Sequence, residues 1–94
     1  MFTDRILKRG YHYYLEKRVT YVVKMNNIYH ASVEGSETYH VEIEIKPRNK
    51  IGYMHCDCPY CKDGHDCKHE VAVLIEIIEL WVIMMMNMTL IIKS

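Results

Sequence analysis

Four cysteines, Cys56, Cys58, Cys61 and Cys67, fall within twelve residues of one another, in a tract that also holds His55, His65 and His69 and the aspartates Asp57, Asp63 and Asp66. A tract this dense in thiols and imidazoles either cross-links or binds metal. Met1 to Arg9 is polar and charged, with no apolar run behind a basic start, so no secretory signal is read and an intracellular, cytoplasmic location is expected. In a reducing compartment such a cluster reads as metal ligands before it reads as disulfides.

Zinc takes thiolate and imidazole ligands at the corners of a tetrahedron, and a chain supplies them most simply as two close pairs separated by a turn. Cys56-x-Cys58 is one pair: alternate residues of an extended chain point the same way, and Pro59 then forces a bend. Cys67-x-His69 is the other, placed where a helical pattern begins. Between the pairs, Gly64 allows the turn and Asp63 and Asp66 can bond its backbone amides. Cys58-x-x-Cys61 is a second way to make the first pair, and His55 and His65 are also within chain reach of the metal.

Ninety-four residues make one small domain, taken as 1–94, of a size for which a metal is a substantial supplement to the core. Half the residues are apolar or aromatic, which excludes a disordered chain. Thr3 and Asp4 can cap a helix over about 4–17, with Leu7, Tyr11, Tyr14 and Leu15 as its apolar stripe and Gly10 as a weakness within it. Val19 to Met25 and Ile28 to Glu34 read as a hairpin turning at Asn26-Asn27. Tyr39, Val41, Ile43 and Ile45 alternate with polar residues as a strand with one buried face. Lys50 to Met54 returns as a fourth strand after the break at Pro47 to Asn49. From Cys67 onward Val71, Leu74, Ile75, Ile78, Trp81 and Val82 recur at helical spacing, with Glu70, Glu76 and Glu79 off that stripe. The fold class expected is α+β: an N-terminal helix, three or four antiparallel strands, a zinc-bound loop and a C-terminal helix, with the finger proper at about 50–82 and an apolar tail over 83–94.

The pattern C-x-C-x8-C-x-H resembles the SWIM zinc finger. Its C-x-C-P, C-K-H and following small-apolar helix stand here as Cys56-Asp57-Cys58-Pro59, Cys67-Lys68-His69 and Val71-Ala72-Val73-Leu74. Upstream, Arg9-Gly10-x-x-Tyr13-Tyr14 and Val33-x-Gly35-Ser36-x-x-Tyr39-x-Val41-x-Ile43 look like the helix and strands that precede the finger in bacterial members. The resemblance covers about residues 3 to 80. It implies one structural zinc on Cys56, Cys58, Cys67 and His69, and a DNA-binding or protein-interaction role of the kind found at the amino end of Snf2-type helicase proteins.

Enzyme readings fail on particulars, and no catalytic residue is expected. His69-Glu70 begins like a metalloprotease helix, but Val73 stands where the second histidine ligand is needed. A nucleophilic cysteine needs an activated thiolate free of metal. His12, His30, His40 and His55 are assigned no role. Twelve basic residues balance twelve acidic ones, so contact with nucleic acid must be local. Residues 1–30 hold six basic against two acidic residues, and Arg5, Arg9, Lys62 and Lys68 are the expected phosphate contacts. Tyr13, Tyr53 and Tyr60 are the tyrosines least explained by core stripes. The tail is long enough to raise a membrane span, but Glu76 and Glu79 would lie inside it, each costing about 2.5–3.5 kcal/mol, so no membrane partner is expected. The excess apolar surface should meet another chain, and a homodimer through Leu74, Ile78, Trp81, Val82 and Met85 is expected. Three functional readings follow: a nucleic-acid-associated adaptor, a protein-interaction module without DNA contact, or the front part of a longer Snf2-type ATPase.

Overall fold

The computed structural model of the chain describes residues 3–62 and 67–93, with side chains described over 3–61 and 67–83. The first helix, α1, spans Asp4–Leu15. Thr3 caps it, its hydroxyl oxygen accepting from the Ile6 amide at 3.2 Å. At the other end the Lys17 amide donates to the Tyr14 carbonyl and the Arg18 amide to the Tyr13 carbonyl, both at 3.0 Å. This is a Schellman termination, and it puts Lys17 in the left-handed region at φ 58°, a place glycine usually takes.

Four strands follow, β1 Val19–Met25, β2 Ile28–Glu34, β3 Thr38–Lys46 and β4 Lys50–Cys56, forming one antiparallel sheet in the order β1-β2-β3-β4. Asn26 turns the first hairpin with φ 58°. The break at Pro47–Asn49 is a tight turn with Arg48 and Asn49 in the left-handed region, at φ 67° and 59°. A short helix, α2 Pro59–Lys62, precedes the long α3, Lys68–Lys93. The tail is therefore a continuation of the helix. Among the described residues no helix is long and apolar enough to cross a membrane.

The alternation along β2 and β3 sends Tyr29, Ala31, Val33, Tyr39, Val41 and Ile43 to one face, where they meet Val73 and Ile77 of α3 in a core that also takes in Cys56, Cys58 and Cys67. The opposite face carries His30, His40 and Glu42, half-buried, beside the exposed Tyr21, Val23 and Met25 of β1.

Two helix faces differ from the sequence expectation. On α1 the buried positions are Ile6 and Gly10, with Tyr13 packed against the core, while Leu7, Tyr11 and Leu15 are exposed. Gly10 decides this. A methyl group there would run into the Val71 side chain and lie 2.9 Å from the Lys68 carbonyl oxygen, so the missing Cβ is what lets α1 lie against α3. On α3 the buried set among the described residues is His69, Glu70, Val71, Ala72, Val73 and Ile77, and Ile78 is exposed. The first turns of α3 are covered on one side by α1 and on another by the sheet, so a wider arc is buried than one amphipathic stripe supplies.

Candidate metal centre

The metal centre is assembled from the end of one strand and the start of one helix. Cys56 closes β4 opposite Val41. Asp57 then ties the chain back to β3, its amide donating to the His40 carbonyl at 3.2 Å and its carboxylate accepting from the His40 amide at 2.9 Å. Pro59 opens α2, and in that turn the Cys61 amide donates to the Cys58 sulfur at 3.4 Å. Cys67 and His69 stand at the threshold and in the first turn of α3.

Cys56, Cys58, Cys67 and His69 are all buried, and their three sulfurs and one ring nitrogen lie within 4.8 Å of one another. The Cys56 sulfur and His69 Nδ1 are 3.6 Å apart. Around a tetrahedral ion with bonds of about 2.3 Å to sulfur and 2.05 Å to nitrogen, that edge measures about 3.6 Å. All four cysteines are free thiols.

The electrostatics suit a cation. Cys67 is pushed well above the ordinary thiol range, first by its hydrogen bond with Cys56 and then by burial, and burial also raises Cys58. Burial, with Lys68 beside it, lowers His69 to about 4. The imidazole is therefore neutral with a lone pair available, and the thiols give up their protons only to a positive charge placed among them. The arrangement can hold one metal ion such as zinc.

Supporting residues fix His69. Its ring lies against Tyr39 at 4.6 Å between centroids and edge-on to Tyr13 at 5.4 Å. Nε2 is buried with no hydrogen-bond partner among the described residues, and a side chain on Gly35 would sit 3.4 Å from it. With Nδ1 turned to the Cys56 sulfur, Nε2 faces this aromatic enclosure.

Glu70 escaped the sequence reading, which placed it off the apolar stripe. It is fully buried, and one carboxylate oxygen accepts from the Cys67 amide at 3.0 Å while the other lies 3.5 Å from the Cys61 sulfur. This is the returning half of a capping box, and the signal for it is a glutamate three places after the residue that precedes a helix. Cys61 is thereby turned toward Glu70, its thiol raised to about 12, chiefly by burial. His55 is exposed. Asp63, Gly64, His65 and Asp66 lie outside the described residues.

A cleft of about 600 Å³ opens beside the centre, lined by Arg5 and Arg9 of α1, Tyr60 of α2 and Lys68 of α3, with Cys58, Cys67 and His69 in its wall. Three of the four expected phosphate contacts thus share one cleft, and the side chain of the fourth, Lys62, lies outside the described residues. Tyr13 is committed internally, with Arg18 and Lys68 over its ring at 4.9 and 4.8 Å, and Tyr53 lies on the sheet. Of the expected dimer stripe, Leu74 and Trp81 pack against the chain's own core, and Trp81 Nε1 donates to the Tyr29 hydroxyl at 3.1 Å. Ile78 and Val82 are exposed, and the Met85 side chain lies outside the described residues.

The chain is similar to uncharacterized protein MJ1493 of Methanocaldococcus jannaschii, with 36% identity over 73 residues, 78% of this chain. The match spans 29% of that relative's length. No family model matches the chain, and no solved structure matches it significantly.

Proposed function

We propose that this is a non-catalytic zinc-binding module of SWIM type whose structural zinc, held by Cys56, Cys58, Cys67 and His69, supports a cleft for the phosphate backbone of nucleic acid. The observation that carries the reading is the convergence of Arg5, Arg9 and Lys68 on one cleft against the metal centre, with Tyr60 at its wall. Cations gathered in one cleft suit a phosphate backbone, and an aromatic ring beside them suits an unstacked base. Because Lys68 lies between Cys67 and His69, the metal that holds those ligands also positions one of the three cations.

The test is binding of single- and double-stranded DNA and RNA oligonucleotides to the zinc-loaded chain at low and moderate salt. Weak, poorly sequence-selective binding is expected, with the salt slope reduced by about one unit for each of Arg5→Ala, Arg9→Ala and Lys68→Ala. A folded, zinc-loaded chain that shifts none of these oligonucleotides at low salt overturns the reading.

A second reading, a protein-interaction or homodimer module, is favoured by one observation: Ile78, Leu80, Val82 and Ile83 of α3 are exposed, as are Leu7, Tyr11 and Leu15 of α1. Both uses are open to one molecule, since the cleft and the exposed end of α3 engage different residues.

A further inference from the structure

His30, His40 and Glu42 occupy the face of the sheet turned away from the helices. His30 and Glu42 are direct partners across β2 and β3, and His40 lies two residues before Glu42 on β3, so the period of the strand brings all three to one side. His30 Nδ1 and His40 Nε2 are 3.3 Å apart, and one Glu42 oxygen, Oε1, lies 3.6 Å from the first and 3.4 Å from the second. Donors on a tetrahedral ion with bonds of about 2.05 Å are separated by about 3.3 Å, so this triangle is already close to the size a small transition-metal ion requires.

We propose that His30, His40 and Glu42 form a second metal site, distinct from the cysteine centre, that takes one divalent transition-metal ion such as Zn2+ and leaves a coordination position open to solvent. Two imidazoles and a carboxylate select zinc, cobalt or nickel over magnesium and calcium, which prefer all-oxygen sets. The side chains are 27%, 41% and 32% exposed, so an ion held there keeps contact with water, unlike one in the buried cysteine centre. The surroundings hold the ligands in place. The Tyr53 hydroxyl donates to the other Glu42 oxygen, Oε2, at 3.4 Å, leaving Oε1 to face the rings. Asp57 pins the His40 backbone through both of its hydrogen bonds. Since Asp57 sits between Cys56 and Cys58, the same turn braces both sites.

The test uses the full chain with its cysteine centre already filled. After equilibrium dialysis at low micromolar free Zn2+, wild type is expected to hold two zinc ions per chain, and His30→Gln and Glu42→Gln one each, with unchanged circular dichroism. His12→Gln, an exposed histidine on α1, is the control and should keep both. In the metal-free chain titrated with Co2+, the first equivalent should bring the thiolate-to-metal charge-transfer band of the cysteine centre. The second should add visible absorption without strengthening that band, and Glu42→Gln should lose only this second step. Wild type saturating at one ion, a second equivalent that survives in both variants, or one lost equally in His12→Gln overturns the proposal, and the histidine pair with Glu42 is then a hydrogen-bonded cluster only.

Discussion

Two stretches of α3, 68–77 and 78–83, invert the usual relation between polarity and burial. In the first, a carboxylate, Glu70, is fully buried beside the equally inaccessible Val73 and Ile77. In the second, Ile78 is 51% and Val82 49% exposed. Composition does not explain the difference, because 78–83 is the more apolar stretch. What differs is what each stretch is packed against: α1, the sheet and the metal ligands surround 68–77, whereas in 78–83 Trp81 still reaches the core. A charge can be buried where a defined amide and thiol receive it, and an isoleucine remains in water where the domain has no more surface to offer.

The largest effect should come from removing what holds the first stretch together. A structural zinc in small fingers supplies about 10–16 kcal/mol of apparent binding energy that is also folding energy, so chelation, or Cys67→Ser, should unfold the start of α3 and loosen its seat on the sheet. Zinc content and far-ultraviolet circular dichroism measure this. Cys61→Ser, by contrast, should keep the metal at the cysteine centre, since that sulfur faces Glu70; loss of that zinc would move Cys61 into the ligand set.

Next come the close contacts that the buried stretch depends on. Gly10→Ala forces α1 away from Val71 and the Lys68 backbone and should destabilise by about 1–3 kcal/mol, more than the gain in helix propensity returns. Glu70→Ala leaves the Cys67 amide without its partner and should also lose about 1–3 kcal/mol. Denaturant midpoints at fixed zinc concentration would rank them. A Glu70→Ala chain as stable as wild type would mean that the buried carboxylate is tolerated and not used.

The exposed positions Ile78 and Val82 should respond in the opposite way. Ile78→Glu with Val82→Glu should change stability by less than about 0.5 kcal/mol while abolishing self-association if the exposed stripe joins two copies. Sedimentation of both forms decides it, and a wild type that stays monomeric at high concentration removes the dimer reading. Trp81 is unsuited to this test, because its bond to Tyr29 makes its loss a core defect.

The smallest effect lies where the two helices meet at the surface. The Tyr14 hydroxyl donates to the Glu79 carboxylate, and this bond holds the phenol at about 12 against an ordinary 10. The raised value favours the protonated phenol in the folded state, so any stability it contributes is fully present below pH 10 and lost as pH rises from about 10 to 12. Tyrosine absorbance titration of wild type and Glu79→Gln should show the late-titrating group vanish in the variant.

Much was legible in one dimension. The strand boundaries, the Asn26 turn, the break at Pro47 and the α+β order follow from alternation and turn chemistry, which act over a few residues. Thiols and imidazoles at these spacings have few uses besides metal, but spacing left Cys61, His55 and His65 open; the resemblance implied Cys56, Cys58, Cys67 and His69, and the structure brings those four together. What could not be read was which arc of each helix is covered. Gly10 looked like a flaw in α1 and is its point of contact, Glu70 looked like a solvent residue and is buried against Cys67, and Trp81 looked like a surface anchor and bonds Tyr29. Likewise only the register of β2 on β3 sets His30 and His40 beside Glu42. Local pattern determines that a helix has an apolar side, but burial depends on every surface that packs against it. Only the assembled sheet, helices and metal ligands decided how much of α3 would be enclosed and which of its polar groups would find partners inside.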